Sequence, residues 1–391
     1  MPIYADANAT YPVDPRHYDD VIRVLKESDG NPSSIHGQGR KAKVALEDAR
    51  SAMAALVGAK PLEIVFTSGA TESNNMAIHG VVKRFQSSST PQSRQRPHVL
   101  VSTIEHRSVI EPARILHDRG EIELQEVPVN RLGQLEGDCL REFLRPDTAL
   151  VCVMFANNEI GTTNDLKSLI SLIRGLAPGA HIHSDAVQLL GKEDLTWLGK
   201  SGVDSAAFSG HKIGAFKGAG SLYLRSGSKL AAYMSGGGQE RGRRPGTENM
   251  PGIVSFGIRC REVRGQEIEI SAAMRQVRDR LVQGIQKIKG GVVHGPGPEG
   301  VLPNTVHFHI DGIPGDDIIL NFDLEGIQVS SGSACSSGSA RPSHVVLALG
   351  FDEWVALNSI RISFSSLNTV DEADRILMVL EEVARRVRGY I

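Results

Sequence analysis

Cysteine is scarce in this chain of 391 residues. The four present, Cys139, Cys152, Cys260 and Cys335, form no C-x-x-C pair, so neither a disulfide framework nor a zinc knuckle is indicated. An excess of either charge is also missing. The 43 Lys and Arg against 45 Asp and Glu leave a net charge of −2. That balance argues against a general nucleic-acid or membrane-surface binder, which needs a basic field. Only local basic patches remain, at Arg241, Arg243 and Arg244 and at Arg385, Arg386 and Arg388. No apolar run reaches the length that spans a bilayer. The segment MPIYADANATYPVDP lacks a basic stretch followed by an apolar one, so no signal peptide is expected. A cytoplasmic location, where a free thiol survives, is the expectation. Composition is otherwise that of a globular protein, with 40% hydrophobic and 23% charged residues and enough length for two unequal domains.

Short apolar runs at 63–67, 99–103, 149–155, 181–185, 204–209 and 221–224 read as strands, separated by helical patterns such as 39–56 and 73–84. Strands alternating with helices predict an α/β fold with a mostly parallel sheet. The polar stretches 86–96 and 235–249 read as loops. Past residue 255 a long helix (258–289) is expected. Strands near 304–309, 327–330 and 360–364 and a final helix from Asp371 follow, as in a smaller α+β domain. The expected division is 15–255 against 256–391, the latter joined by 1–14.

Four motifs carry the chemistry. Lys212, in SGHK directly after a strand, suits Schiff-base formation with an aldehyde cofactor, with Ser209 and His211 holding an anionic group beside it. A lone His-Lys pair is more often solvated surface, so the neighbours must decide. The turn Ser68-Gly69-Ala70-Thr71 between a strand and a helix lets backbone N–H groups and the helix dipole meet a phosphate, although a plain N-cap explains the same letters. In His181-Ile-His183-Ser-Asp185 the alternate residues share one strand face. Asp185 can pair with a protonated pyridine nitrogen, while a metal site is the competing reading. A second H-x-H-x-D lies at 307–311. Cys335 sits in SSGSACSSG, small and polar enough for an exposed loop, unlike the more apolar or helical settings of the other cysteines.

In this order the motifs resemble the cysteine desulfurases, pyridoxal-phosphate enzymes of the class V aminotransferase group with fold type I. The likeness runs nearly end to end. It passes through DANAT, GNPSSIHGQGR (30–40), EIVFTSGATESNN (63–75), IEHRSV (104–109), NNEIG (157–161) and HSDAVQLLGK (183–192). It continues in FSGHKIG (208–214), GGGQERGRRPGTEN (236–249), SSGSACSSG (330–338) and IRIS (360–363). The resemblance implies a seven-stranded, mostly parallel sheet and a bound pyridoxal 5'-phosphate. Lys212 would bond its aldehyde, Asp185 its ring nitrogen, and Gln188 and Asn158 its phenolic oxygen, with His106 stacked on the ring. Ala70, Thr71, Ser209 and His211 would hold its phosphate, joined by Thr247 from the second subunit of a homodimer. Arg361, with Asn158, would bind the substrate carboxylate.

The implied reaction takes sulfur from L-cysteine. Lys212 removes the α-proton, His106 exchanges protons with the substrate, and the Cys335 thiolate attacks sulfur to leave alanine and an enzyme persulfide. An acceptor protein, an iron–sulfur scaffold or a tRNA-thiolation enzyme, would then take the sulfur, and Cys335 is a candidate transient cluster ligand. No resident metal, direct nucleic-acid contact or membrane association is expected. The chain departs from the family pattern at Tyr11, at Ala215-Phe216-Lys217 and at Ser365-Ser366, and it stops at Ile391 without the C-terminal extension of some members. Competing readings are a selenocysteine lyase or another class V enzyme and, more remotely, a metal-dependent hydrolase.

Overall fold

Seven strands form the central sheet of the computed structural model, which describes residues 2–88, 95–332 and 341–389. From one edge the order is Ile64–Thr67, Gly220–Leu224, Ser205–Ser209, His181–Asp185, Thr148–Cys152, His98–Ser102 and Glu123–Val127. Gly220–Leu224 runs antiparallel to both neighbours, and the remaining pairings are parallel. The inner strands are buried along their whole length except at Ala149, as a sheet covered on both faces requires. That is why most of them, His181–Asp185 excepted, stand out in the sequence as small or apolar runs. Glu123–Val127 does not. It is an edge strand of sequence ELQEV with exposed and half-buried residues alternating, so no apolar run marks it.

The expected helix over 258–289 is two helices, Met250–Val263 and Glu267–Ile285. Gly265 separates them at φ +83°, a left-handed conformation that ends a helix and suits glycine. The first begins earlier than expected because the Asn249 side chain accepts from Gly252 N–H and caps it. The helix Ala70–Ser88 also runs on into the stretch expected to be loop from residue 86.

Two main hydrophobic cores result. One lies under the large sheet and takes in Phe256, Cys260 and Val263. The other joins Val277, Phe308, Phe322, Ile362 and Leu380 to Ile3 and Ala5. Around this second core Ser330–Ser331, Ile360–Ser363, Thr305–Ile310 and Gly291–Val293 form an antiparallel sheet. Ile3–Tyr4 pairs in parallel with Ile327–Gln328, so the amino-terminal segment is stitched to the later part of the chain. The single strand expected near 327–330 is thus two short strands in different sheets.

The polar stretch 235–249 is anchored by a buried ion pair. Arg50, from the helix Gly37–Leu56, donates through both terminal nitrogens to the Glu240 carboxylate at 2.7 Å. Glu240 also accepts from Phe66 N–H at 2.9 Å, and Arg50 donates to Ile64 O, so the loop is tied to the edge strand Ile64–Thr67. The charges are fully paired, which is the condition for burying them. Glu240 and Arg241 both adopt positive φ, 47° and 60°, a conformation costing on the order of 1–3 kcal/mol per non-glycine residue. Glu240→Ala leaves Arg50 buried without its carboxylate. Denaturant unfolding should show a loss of about 3–5 kcal/mol, and a loss under about 1 kcal/mol would mean that the pair is dispensable.

Candidate active site

The loops at the carboxyl ends of the parallel strands enclose a cavity of about 550 Å³, the usual ligand position in an open α/β sheet. Ser68, Gly69, Ala70 and Thr71 line it where the strand Ile64–Thr67 turns into the helix Ala70–Ser88. His106 enters after His98–Ser102, and Asn158 follows Thr148–Cys152. Asp185 ends its strand and Gln188 follows it, while Ser209, His211 and Lys212 continue from Ser205–Ser209. Asn8 and Arg361 complete the wall from the side of the second core. Ten residues picked from sequence (70, 71, 106, 158, 185, 188, 209, 211, 212 and 361), with Ser68 and Gly69 of the turn, therefore meet in one cavity. Thr247 is exposed and outside its lining, and Cys335 lies outside the described residues.

The acidic and basic groups just named are each held by an identifiable partner. Asp185 accepts from Asn74 Nδ2 at 2.9 Å and from Val187 N–H at 3.1 Å. Since Asn74 turns its NH2 to Asp185, its oxygen must accept from His183 Nε2, 2.9 Å away. His183 Nδ1 and His181 Nε2 both meet Ser205 Oγ at 2.8 Å. Burial pulls these rings down to about 3 and about 4, so both are neutral braces behind Asp185. His106 caps the helix Arg107–Asp118, its Nδ1 accepting from Ser108 N–H at 3.1 Å, which leaves Nε2 to carry the proton of the neutral ring. Lys212 donates to the backbone oxygens of Asn8 and of Ala9, the latter at 2.9 Å. His211 is bonded to Thr10 Oγ1, and burial first, then Lys212 and Lys217, lower it to about 4. Arg361 donates to Asp6 at 2.7 Å and to Asn158 O at 3.2 Å, while its buried Nε has no partner among the described residues. Ser330, at the base of the segment that carries Cys335, donates to the other oxygen of Asp6.

Three contributors went unassigned in the sequence reading: Asn74, Asn8 and Lys192. Each sits inside a motif quoted above, yet an amide or lysine in a motif gives no hint of its partner. The second H-x-H-x-D has a different use. His294 Nδ1 meets His307 Nδ1 at 2.8 Å and its Nε2 meets His309 Nδ1 at 2.7 Å, while His309 Nε2 faces Asp311 at 3.3 Å and the buried His307 Nε2 has no partner among the described residues. Among the described residues no group of His, Cys, Asp or Glu is arranged to hold a metal ion.

The departures from the family pattern gather in one place. The Tyr11 hydroxyl accepts from Ser366 N–H and is bonded to Ser366 Oγ, both at 2.9 Å. Tyr11, Ala215, Phe216 and Lys217 line an adjoining hollow that also touches His211, with Phe216 packed on the Tyr18 ring at 5.2 Å.

The aminotransferase class-V family matches residues 3–376. Cysteine desulfurase IscS 1 of Archaeoglobus fulgidus is 40% identical over 387 residues, covering 99% of this chain and 98% of that protein. The chain belongs to the class-V aminotransferase family, among its cysteine desulfurases. A solved NifS-like protein superposes with a TM-score of 0.89 at 34% identity, covering 98% of this chain and 99% of that one. SspA, solved in complex with cysteine, gives 0.79 at 30% identity, covering 93% and 99%.

In this cysteine desulfurase Glu105, next to His106, is fully buried. Its Oε1 accepts from Ser102 Oγ at 2.7 Å and from Met154 N–H, while Oε2 has no partner among the described residues. Burial raises its carboxyl to about 8, so it is protonated near neutral pH. The folded value stands above the unfolded one, so its contribution is complete at low pH and is lost as pH rises through about 8. Glu105→Gln should gain stability relative to wild type between roughly pH 5 and pH 8 in denaturant unfolding. A difference independent of pH would mean that Glu105 is already ionised in the fold.

Proposed function

We propose that the chain uses pyridoxal 5'-phosphate to take sulfur from L-cysteine, releasing L-alanine and leaving a persulfide on Cys335. The observation that carries this reading is Lys212 facing the same cavity as Asp185, Gln188 and Arg361 in a chain 40% identical to a named cysteine desulfurase. The cavity suits the cofactor. The first turn of the helix Ala70–Ser88 lines one end beside Ser209 and His211, with the N–H groups and partial charge that a phosphate needs. At Gly69 a Cβ would meet no atom within 4 Å, so the backbone there is open to a ligand. The Asp185 carboxylate suits a protonated ring nitrogen, and Lys212 an aldehyde.

When bound, the cofactor supplies an electron sink that acidifies the substrate's α-carbon. The protein does the rest. Lys212 moves the α-proton on Nζ, and Asn8 O and Ala9 O orient that amine. Gln188 and Asn158 would hold the phenolic oxygen, and His106 would lie against the ring and exchange protons with the substrate through Nε2. Arg361 binds the substrate carboxylate, its fork held from behind by Asp6. A bond then forms between Cys335 Sγ and the substrate sulfur as the carbon–sulfur bond breaks. Burial raises the thiols of Cys139, Cys152 and Cys260, and none of the three lines the cavity, which supports Cys335 as the carrier. In this reading Thr247 completes the phosphate site of a partner subunit, and the sulfur passes to an iron–sulfur scaffold or tRNA-thiolation enzyme. No described helix is long and apolar enough to cross a membrane, and a cytoplasmic setting fits a working thiol.

The test is release of alanine and sulfide from L-cysteine with a thiol reductant. Wild type should be yellow and give the two products in equal amounts. Cys335→Ala should stay yellow and lose both, and Lys212→Ala should lose the yellow band. Full activity in Cys335→Ala would favour a lyase of the selenocysteine kind.

A further inference from the structure

Behind the cavity wall lies a lysine that none of the roles above employs. Lys192 is 3% exposed and does not line the cavity. Its Nζ donates to Gln188 Oε1 and to Asn8 Oδ1, each at 3.1 Å, and no carboxylate pairs with it among the described residues. On the outer side the helix Glu267–Ile285 contributes Ser271, which donates to its backbone oxygen, and Glu267, Arg275 and Asp279, which line a hollow there with Glu193 and Asp194. On the cavity side the charged groups that bear on Lys192 are Lys212 and Arg361, with Asp185, His106 and His211 beyond Gln188. Burial, then those two cations, lowers the amine to about 7.

An amine with this hydrogen-bonding pattern dictates direction. Lysine brings donors to an amide, so the amide must turn its oxygen towards it. Gln188 therefore commits Oε1 to Lys192 and keeps its NH2 group on the other side, where it donates to Asn8 O at 3.3 Å. The flipped amide would set nitrogen against amine and oxygen against carbonyl. Asn8 is fixed in the same way, because Asn304 Nδ2 donates to the same Oδ1 at 3.0 Å.

We propose that Lys192 is a positioning residue that locks the Gln188 amide with its donors turned towards the phenolic oxygen of the bound cofactor. The inference rests on the cavity being the pyridoxal-phosphate site. Protonated Lys192 has no acceptor and enforces this sense outright; the neutral amine keeps two donors but adds a lone pair, and the carbonyl of Asn8 then opposes the flip.

The experiment reconstitutes wild type, Lys192→Met, Gln188→Leu and the double variant with pyridoxal phosphate. The pH midpoint of the visible band is titrated, and thermal unfolding is recorded beside it. A donor to the phenolic oxygen favours the deprotonated chromophore, so loss of that donor raises the midpoint. Lys192→Met should raise it by about half a pH unit or more, nearly as far as Gln188→Leu, and should add little in the Gln188→Leu background. Lys192→Gln passes through the same cycle as a variant that keeps a polar side chain. Its amide accepts either orientation of Gln188, so its midpoint should also rise. An unmoved midpoint with a lowered unfolding temperature would reduce Lys192 to packing and overturn the proposal. An equal shift with and without Gln188 would mean that its charge acts directly, and would overturn it too. A colourless wild type would instead remove the cofactor reading, and the inference with it.

Discussion

Asn8 is the residue on which the geometry of the cavity depends. Its N–H donates to Ser363 Oγ, and its Nδ2 donates to Thr305 Oγ1 and to Asn158 O. Its Oδ1 accepts from Lys192 and Asn304, and its backbone oxygen accepts from Gln188 and Lys212. Seven hydrogen bonds saturate one buried residue and join three parts of the chain far apart in sequence. Thr305, Asn304 and Ser363 belong to the second core's sheet and its approaches, whereas Lys192, Gln188 and Lys212 come from the large sheet. A buried amide with so many partners has one satisfied arrangement, and losing it strands several polar groups at once. Lys212 and Arg361 are thereby held at a set spacing across the join.

The braces around Asp185 follow the same logic on the opposite wall. Ser205, His183 and Asn74 form a line of neutral groups, each fixing the hydrogen-bonding sense of the next, and the line ends on a carboxylate. No charge is spent inside the sheet, yet the acid at its edge is oriented. Both walls use amides whose direction is dictated by a neighbour with only one possible role. Specificity of orientation here comes from matching donors to acceptors, with burial preventing water from substituting.

Much of this was legible beforehand, for physical reasons that differ by element. Buried parallel strands such as His98–Ser102 announce themselves because most of their residues on both faces are small or apolar. The cavity residues were legible because strand ends and turns concentrate them in short motifs, and because those motifs carry a resemblance. The edge strand Glu123–Val127 was not, since half its residues face solvent. Neither was the helix break at Gly265, where a glycine inside a helical pattern reads as tolerable until its φ is known. Lys192 and Asn8 stood within quoted motifs, but their pairing spans 184 positions and leaves no local trace. The H-x-H-x-D pattern shows the converse limit. Alternation placed the side chains on one face, and only the neighbours Ser205 and Asn74 decide that they brace a carboxylate.

The contact between Tyr11 and Ser366 has a historical consequence. One hydroxyl bonds both the backbone N–H and the side chain of its partner across 355 positions. Either residue acquired alone would have left a phenol or a serine turn without its mate at the rim of a working site. The two are therefore expected to be inherited as a unit, and a lineage carrying one without the other should show a second, compensating change in the hollow beside Phe216.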